Sequence, residues 1–456
     1  MTAPDGTAAA AAPYPAPGIA WYSVGVLLIA YTIAFIDRTI LALLVGPIQR
    51  DLAISDTAMG LLHGIAFALF YCALGIPIAR LSDQHSRRWI IVIGMAIWSG
   101  MTALCGIARN FWELFLARIG VGVGEAALSP AAYSMIADMF PPQKLGRALS
   151  IYSSGVFFGA GLAFMIGGTV VGAIQSIDVM QLPLVGEVRA WQAVFFIVGL
   201  PGLLFALLML TVPEPARRRS VGGGVRGGTT DRPGVAQLRA YLPVHTFIIA
   251  CHFLGFSLLG VVFNGFIAWA PTQLIRDFGA SASEAGRALG LVIFLFGGSG
   301  IIAGGLLADY LARRGRLDAS MLAGIVGGVG LVPACIAAPL MPGFSSAVVM
   351  YALFFFFASF PFGAAATALQ IMTPADLRAR LSAIYLLTLN LLGIGGGPVM
   401  IAVISDSFLG GKSDISIAMA ITGAVVTPLG VIVLIVSLAR FRERVRMVNA
   451  ANAASR

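Results

Sequence analysis

Twelve times along this chain a stretch of about 20 mostly apolar residues runs between charges, prolines or glycine clusters, and this recurrence limits the fold more than any other feature. A helix of that length crosses the roughly 30 Å hydrocarbon core of a bilayer at 1.5 Å per residue. Only helices and closed barrels satisfy their backbone groups there. The segments fall at about 21–48, 58–80, 89–108, 111–138, 143–172 and 190–212, then at about 244–275, 283–311, 319–340, 345–372, 377–405 and 414–439. Composition agrees, with 59% hydrophobic and 11% charged residues where soluble domains carry roughly 25% charged. The expected fold is an all-α polytopic membrane protein.

Residues 213–243 separate two groups of six helices, and "PEPARRRSVGGGVRGGTTDRPG" reads as a flexible Arg- and Gly-rich linker. The expected organisation is a disordered cytoplasmic tail over 1–20, helical halves over 21–212 and 244–440, and a cytoplasmic tail over 441–456. The Ala- and Pro-rich opening has no Lys or Arg before its first apolar run and does not read as a cleaved signal peptide. Of the 29 Lys and Arg residues, 21 fall on the side of the termini, six on the other side, and Arg38 and Arg118 inside spans. The positive-inside rule therefore places both termini in the cytoplasm, and short loops favour a bacterial inner membrane. The net charge of +9 is spread over these loops, so it calls for membrane lipids as neighbours and not for nucleic acid.

Other classes are disfavoured. Cys72, Cys105, Cys251 and Cys335 sit in apolar segments without CxxC spacing, and the histidines are scattered, so neither a disulfide framework nor a metal site is expected. No nucleophile, base or metal set converges at one depth, which argues against an enzyme. GxxxxGKS and GxxxxGKT are both absent, which argues against ATP-driven pumping.

The two halves share a plan. "LSDQHSRR" after the second segment and "LADYLARR" after the eighth align Asp83, Arg87 and Arg88 with Asp309, Arg313 and Arg314 at a constant offset of 226 residues. "PPQKLGRALSIY" and "TPADLRARLSAIY" align Arg147 and Tyr152 with Arg380 and Tyr385 at 233. Such repetition belongs to secondary transporters whose site lies between the halves. "ARLSDQHSRR" resembles the signature loop of the major facilitator superfamily, with Ala79 where Gly is usual, and "LARIGVGVGEA" resembles that superfamily's proton-transporter signature. "FIDRTIL", "RIGVGVGEAALSPAAYSMIADMF" and "RALSIY" together resemble the spinster family, chiefly over the first half. The resemblance implies the major facilitator fold and a lipid-like substrate with an anionic head, of the sphingoid-phosphate or lysophospholipid class.

Charges inside spans are costly, roughly 2.5–3.5 kcal/mol each on insertion scales, and are functional by default. Asp37 lies roughly 16 Å and Arg118 roughly 10 Å below the same membrane face by helical rise, so an Asp37–Arg118 pair is expected. Glu125 stands about 10 Å further along the face that carries Arg118, which leaves it uncompensated and favours its protonated form. Gly120, Gly122 and Gly124 are expected to let the first helix approach the fourth. The resulting scheme is alternating access: Asp37 or Glu125 pairs with Arg38 or Arg118, and protonation frees an arginine for an anionic head group. Asp83, Arg87, Arg88, Asp309, Arg313 and Arg314 are expected to form a cytoplasmic gate. Tyr152, Tyr385, His252, Asn264, Gln370 and Asn390 are candidate cavity-lining residues, and Gly397–Pro398 is a candidate kink.

The expected function is proton-coupled transport of an amphipathic or lipid-like anion, with protons as the coupling ion, no other cofactor, and the monomer as the working unit. Two alternatives stand beside it: a proton-coupled carrier of small organic anions or drugs, and a transporter-like receptor that does not translocate.

Overall fold

The computed structural model describes residues 14–174, 179–182, 186–217, 233–374, 377–409 and 414–454. The expected tail over 1–20 falls outside it up to residue 13, as does the linker over 218–232. Among the described residues twelve helices are long and apolar enough to span a membrane: α1 (Pro17–Leu43), α2 (Asp56–Gln84), α3 (Arg87–Cys105), α4 (Phe111–Met139), α5 (Gln143–Ile174) and α6 (Ala190–Met209), then α7 (Pro243–Phe278), α8 (Ala282–Arg313), α9 (Ala319–Leu340), α10 (Phe344–Met372), α11 (Arg380–Phe408) and α12 (Ile415–Ala450). Because the spans alternate in direction, Pro17 and Ala450 lie at one end of the bundle, called here the termini end; the opposite one is the far end.

Helix starts coincide with side chains that accept from orphan backbone N–H groups, as short polar residues do at N-caps. Ser55, Ser86 and Asn110 cap α2, α3 and α4, and Ser281 with Glu284 forms a capping box on α8. Three departures from the sequence reading have local causes. The first segment is not one helix to residue 48: the backbone leaves helical geometry at Leu44 (φ −106°, ψ 3°), and a short separate helix follows over Val45–Leu52. The expected C-terminal tail is instead a continuation of the last helix to Ala454. Between α5 and α6, strands β1 (Val179–Leu182) and β2 (Gly186–Arg189) form an antiparallel ribbon in which Val179 faces Arg189. The ribbon is fastened through Asp51, which accepts from Arg189 at 2.6 Å and from the Trp191 indole at 2.5 Å.

The halves meet along two glycine seams in the far half of the bundle. In the α5–α8 seam, a β-carbon on Gly161 would lie 2.9 Å from the carbonyl oxygen of Gly290, and one on Gly290 would lie 2.6 Å from that of Gly161. In the α2–α11 seam, a β-carbon on Gly60 would lie 2.8 Å from that of Ala402. Small residues let helix backbones approach this closely. Toward the termini end, β-carbons at Gly146, Gly298 and Gly305 would meet nothing within 4 Å. Among the described residues every cross-half hydrogen bond but one lies at the far end, the exception being a Cys72 Sγ to Leu387 carbonyl contact of 3.9 Å. The bundle is closed at its far end and parted at its termini end.

The helices of the second half are less regular. π-Helical turns occupy Ile293–Gly297 in α8, and Leu391–Gly396 and Ile404–Phe408 in α11, and the Gly397–Pro398 kink candidate directly follows the second of these. Among the described residues none occurs in the first half.

Candidate functional site

The buried charges gather between α1, α2, α3 and α4. Arg38 donates from Nη2 to Glu125 Oε2 at 2.5 Å, and the pair has 17% and 2% side-chain exposure, so it borders open space only on the arginine side. The Arg38 guanidinium lies 4.8 Å from the ring centre of Phe35, 4.2 Å from that of Phe67 and 5.4 Å from that of Tyr71. Glu125 is therefore not uncompensated as its position on α4 implied. Helical rise fixes its depth but not the reach of Arg38 from the neighbouring helix.

The expected Asp37–Arg118 pair is also corrected. Arg118 is fully buried and donates to main-chain carbonyls, Nη1 to Asp37 at 3.2 Å and Nη2 to Arg38 at 3.4 Å. It staples the two backbone oxygens just before α1 tightens into its last turn at Ile40–Leu43. Among the described residues the Asp37 carboxylate, 0% exposed, completes no hydrogen bond of good geometry, and the Arg118 guanidinium and Trp98 indole lie beside it. The glycines of α4 admit different neighbours than expected. A β-carbon on Gly122 would lie 2.5 Å from the Phe67 carbonyl of α2, one on Gly124 2.5 Å from the Trp98 nitrogen of α3, and one on Gly120 2.5 Å from Met101 Cγ. They seat α2 and α3, and so fix Phe67 over Arg38.

At the termini end, Arg87 is 1% exposed and bonds to Asp138, to Ser134 Oγ at 3.0 Å, to Glu214 at 2.9 Å and to the Pro215 carbonyl at 2.8 Å. The Arg88 backbone N–H donates to Glu214 at 2.9 Å. Burial opposes ionisation of Glu214, but the Arg88 N–H and the Arg87 and Ser86 side chains outweigh it and hold the carboxyl below its ordinary range. The Asp83 carbonyl accepts from Arg217. Arg314 lies 4.5 Å over the Tyr310 ring, and the described residues give Asp309 and Arg313 no ion pair. In this conformation Arg87 and Arg88 link α3 to α4 and to the segment after α6, and among the described residues none of the expected gate residues bridges the halves.

The cavity-lining candidates divide. Tyr152 is fully buried and stacks on Tyr31 at 4.9 Å; His252 is fully buried and lies 5.3 Å from the 5%-exposed Tyr385. These three back the wall instead of forming its surface, because aromatic neighbours cover them. Asn264 and Asn390 are half-buried, and Gln370 is exposed and donates to Ser382 at 3.2 Å.

Sequence reasoning missed a network that ties the halves together at the far end. Arg276 of α7 donates to both carboxylate oxygens of Asp56 on α2, at 2.7 and 2.9 Å, and to Gln49 at 2.7 Å. Asp56 also accepts from Gln49 at 2.8 Å and from Ser405 at 3.4 Å, while Asp406 accepts from the Thr57 N–H at 2.6 Å. Asp56 and Arg276 sit at span ends, where a charge looks like an ordinary loop residue.

Two six-helix halves, joined at one end and parted at the other, with a buried ion pair inside the first half, are the architecture of a membrane transporter. The chain belongs to the Major Facilitator Superfamily, whose model matches residues 27–398, and within it is spinster-like. It is 28% identical over 436 residues to an MFS-type efflux pump of Mycolicibacterium smegmatis, covering 94% of each chain. It is 23% identical over 410 residues to Protein spinster of Drosophila melanogaster, covering 85% of this chain and 62% of the relative. The crystal structure of a bacterial homolog to the human lysosomal transporter Spinster, in an inward-facing and unoccupied conformation, superposes with a TM-score of 0.76 at 29% identity, covering 96% of this chain and 99% of the other.

Proposed function

We propose that this transporter is proton-coupled and moves an amphipathic or lipid-like anion, of the sphingoid-phosphate or lysophospholipid class, by alternating access. The observation that carries the reading is the Arg38–Glu125 pair, buried on the glutamate side and reachable on the arginine side, next to the buried Asp37 carboxylate. Breaking a buried pair by neutralising one member strands the other at a cost of about 3–5 kcal/mol. A proton on Glu125 thus releases Arg38 toward an anionic head group, which relieves that cost. A ligand and a proton that each favour one state of the same pair are thermodynamically coupled. Apolar rings that meet across the interface, with Phe362 of the second half centred 5.5 Å from Phe157 of the first and 5.0 Å from Phe263, suit an acyl chain. The charge distribution over the loops supports cytoplasmic termini, with the parted end facing inward, and the short loops support a bacterial inner membrane. The monomer is the working unit, and protons are its only coupling ion.

The test is flux in proteoliposomes holding the purified chain, with lysolipids and sphingoid phosphates screened with and without a pH gradient. Asp37→Asn and Glu125→Gln should each abolish pH-driven uptake; unchanged pH dependence in both refutes the coupling. Relatives named as an MFS-type efflux pump and as a hexuronate transporter of Bacillus subtilis support a second reading, transport of drugs or small organic anions. Stimulation by a water-soluble carboxylate, with no lysolipid flux, would select it.

A further inference from the structure

We propose that the outward-facing groove between α7 and α12, at the termini end of the second half, binds one anionic phospholipid of the phosphatidylglycerol type, with Arg440 and Arg444 on its phosphate. The groove lies in the other half from the buried charges of α1 to α4, and it stands whatever the protein transports. α12 spans 36 residues, about 54 Å at 1.5 Å per residue against roughly 30 Å of hydrocarbon, so its last turns reach the head-group layer. Val425, Leu429, Ile432 and Val436 are exposed and, with the exposed Arg440, fall within about 80° of the α12 circumference at 100° per residue. This is the stripe a membrane helix turns to acyl chains, and it ends on an arginine. On α7, Val244, Phe247 and Leu254 are exposed in the same way. The two stripes meet where the Arg440 guanidinium lies over the Phe247 ring, 4.1 Å from its centre. One turn further, Arg444 lies 5.1 Å over the Tyr241 ring and donates from Nε to the Met372 carbonyl at 3.2 Å.

Charge selects the head group. Arg442, on the other side of α12, is engaged by Asp318 at 2.6 Å, whereas Arg440 has no ion pair among the described residues. Glu443 is exposed on the same stripe, so Arg440, Arg444 and Glu443 together give this face a net charge of +1. Phosphatidylglycerol carries the opposite charge, while phosphatidylcholine and phosphatidylethanolamine carry none. Guanidinium groups at a membrane surface attract anionic lipids, and their N–H groups match phosphate oxygens. A free phosphate would satisfy the arginines but leave the apolar stripes below them uncovered, so the occupant is a lipid.

The measurement is native mass spectrometry of the detergent-solubilised chain, titrated with phosphatidylglycerol or with phosphatidylcholine of the same acyl chains and expressed as the ratio of their dissociation constants for the first lipid bound. The wild type should prefer phosphatidylglycerol by about fivefold or more. Arg440→Gln and Arg444→Gln should each lower that preference by about 3- to 5-fold, the worth of one arginine close to a charged lipid surface. Arg446→Gln removes the same charge from a position about 200° around α12 from Arg444 and should change the preference less than twofold. Glu443→Gln should raise it. A folding defect would weaken both lipids together and leave the ratio in place. Equal affinities in the wild type, a preference that neither Arg440→Gln nor Arg444→Gln moves, or a loss in Arg446→Gln as large as theirs overturns the site. A fall in Glu443→Gln overturns it too, since the head group would then carry an ammonium. Millimolar inorganic phosphate should not displace phosphatidylglycerol, and displacement overturns the assignment to a lipid.

Discussion

Arg276→Gln should loosen the far end of the bundle. Asp56 is 1% exposed and Arg276 27%, and two charge-assisted hydrogen bonds of 2.7 and 2.9 Å join them across the halves. Hydrogen bonds to charged groups are worth about 1.5–3 kcal/mol each, but Asp56 keeps Gln49 and Ser405 as partners, so the net loss is about 2 kcal/mol. The contact exists only while the far end is closed, so the whole loss falls on that state. It shifts the ratio of open to closed molecules about 30-fold, since 1.4 kcal/mol is a factor of ten. Spin labels on Arg109 and Ser345, exposed far-end positions in the two halves, report the separation by double electron–electron resonance once the four native cysteines are replaced. The long-distance population should rise steeply in Arg276→Gln and in Asp56→Asn. The double variant should resemble either single one, because the same contact is lost in all three. Distance distributions unchanged in both single variants would refute the latch.

Two further outcomes follow from the packing. Glu214, held below its ordinary range by the groups around it, stabilises the termini end at neutral pH, and this contribution is lost as pH falls through its lowered folded-state value. Thermal unfolding in detergent between pH 6 and pH 3 should show a Tm that falls in the wild type below the ordinary carboxylate range and a flatter profile in Glu214→Gln; parallel profiles would contradict it. Gly122→Ala would place a β-carbon 2.5 Å from the Phe67 carbonyl, a backbone atom that cannot rotate away, and should destabilise the chain by about 1–3 kcal/mol. A Tm equal to wild type would mean that α2 can retreat from α4 freely.

The span count and the duplicated plan were legible because both are written in linear periodicities: apolar length and constant offset. The partners of the buried charges were not. Helical rise put Asp37 and Arg118 at comparable depth, and they are neighbours, yet the guanidinium chose backbone carbonyls while Glu125 found Arg38. Depth is one coordinate of three; the direction in which α1 faces α4 is decided by packing that includes α2 and α3. The same gap hid the true neighbours of Gly120, Gly122 and Gly124. The Asp56–Arg276 latch escaped notice because its members are more than two hundred residues apart and look like ordinary boundary charges. The ribbon of β1 and β2 was missed because four-residue strands leave too short an alternation to stand out from loop sequence.

The π turns of α8 and α11 give the second half a mechanical character of its own. Each holds one residue more than an α-helical turn, and ironing it out would rotate everything beyond it by about 100° around the helix axis. Two of the four helices that form the glycine seams thus carry a spare residue that can be taken up or released, while α2 and α5, their partners across the seams, carry none among the described residues. One side of the machine is an anvil that holds the charges still, and the other is a screw that can turn against it.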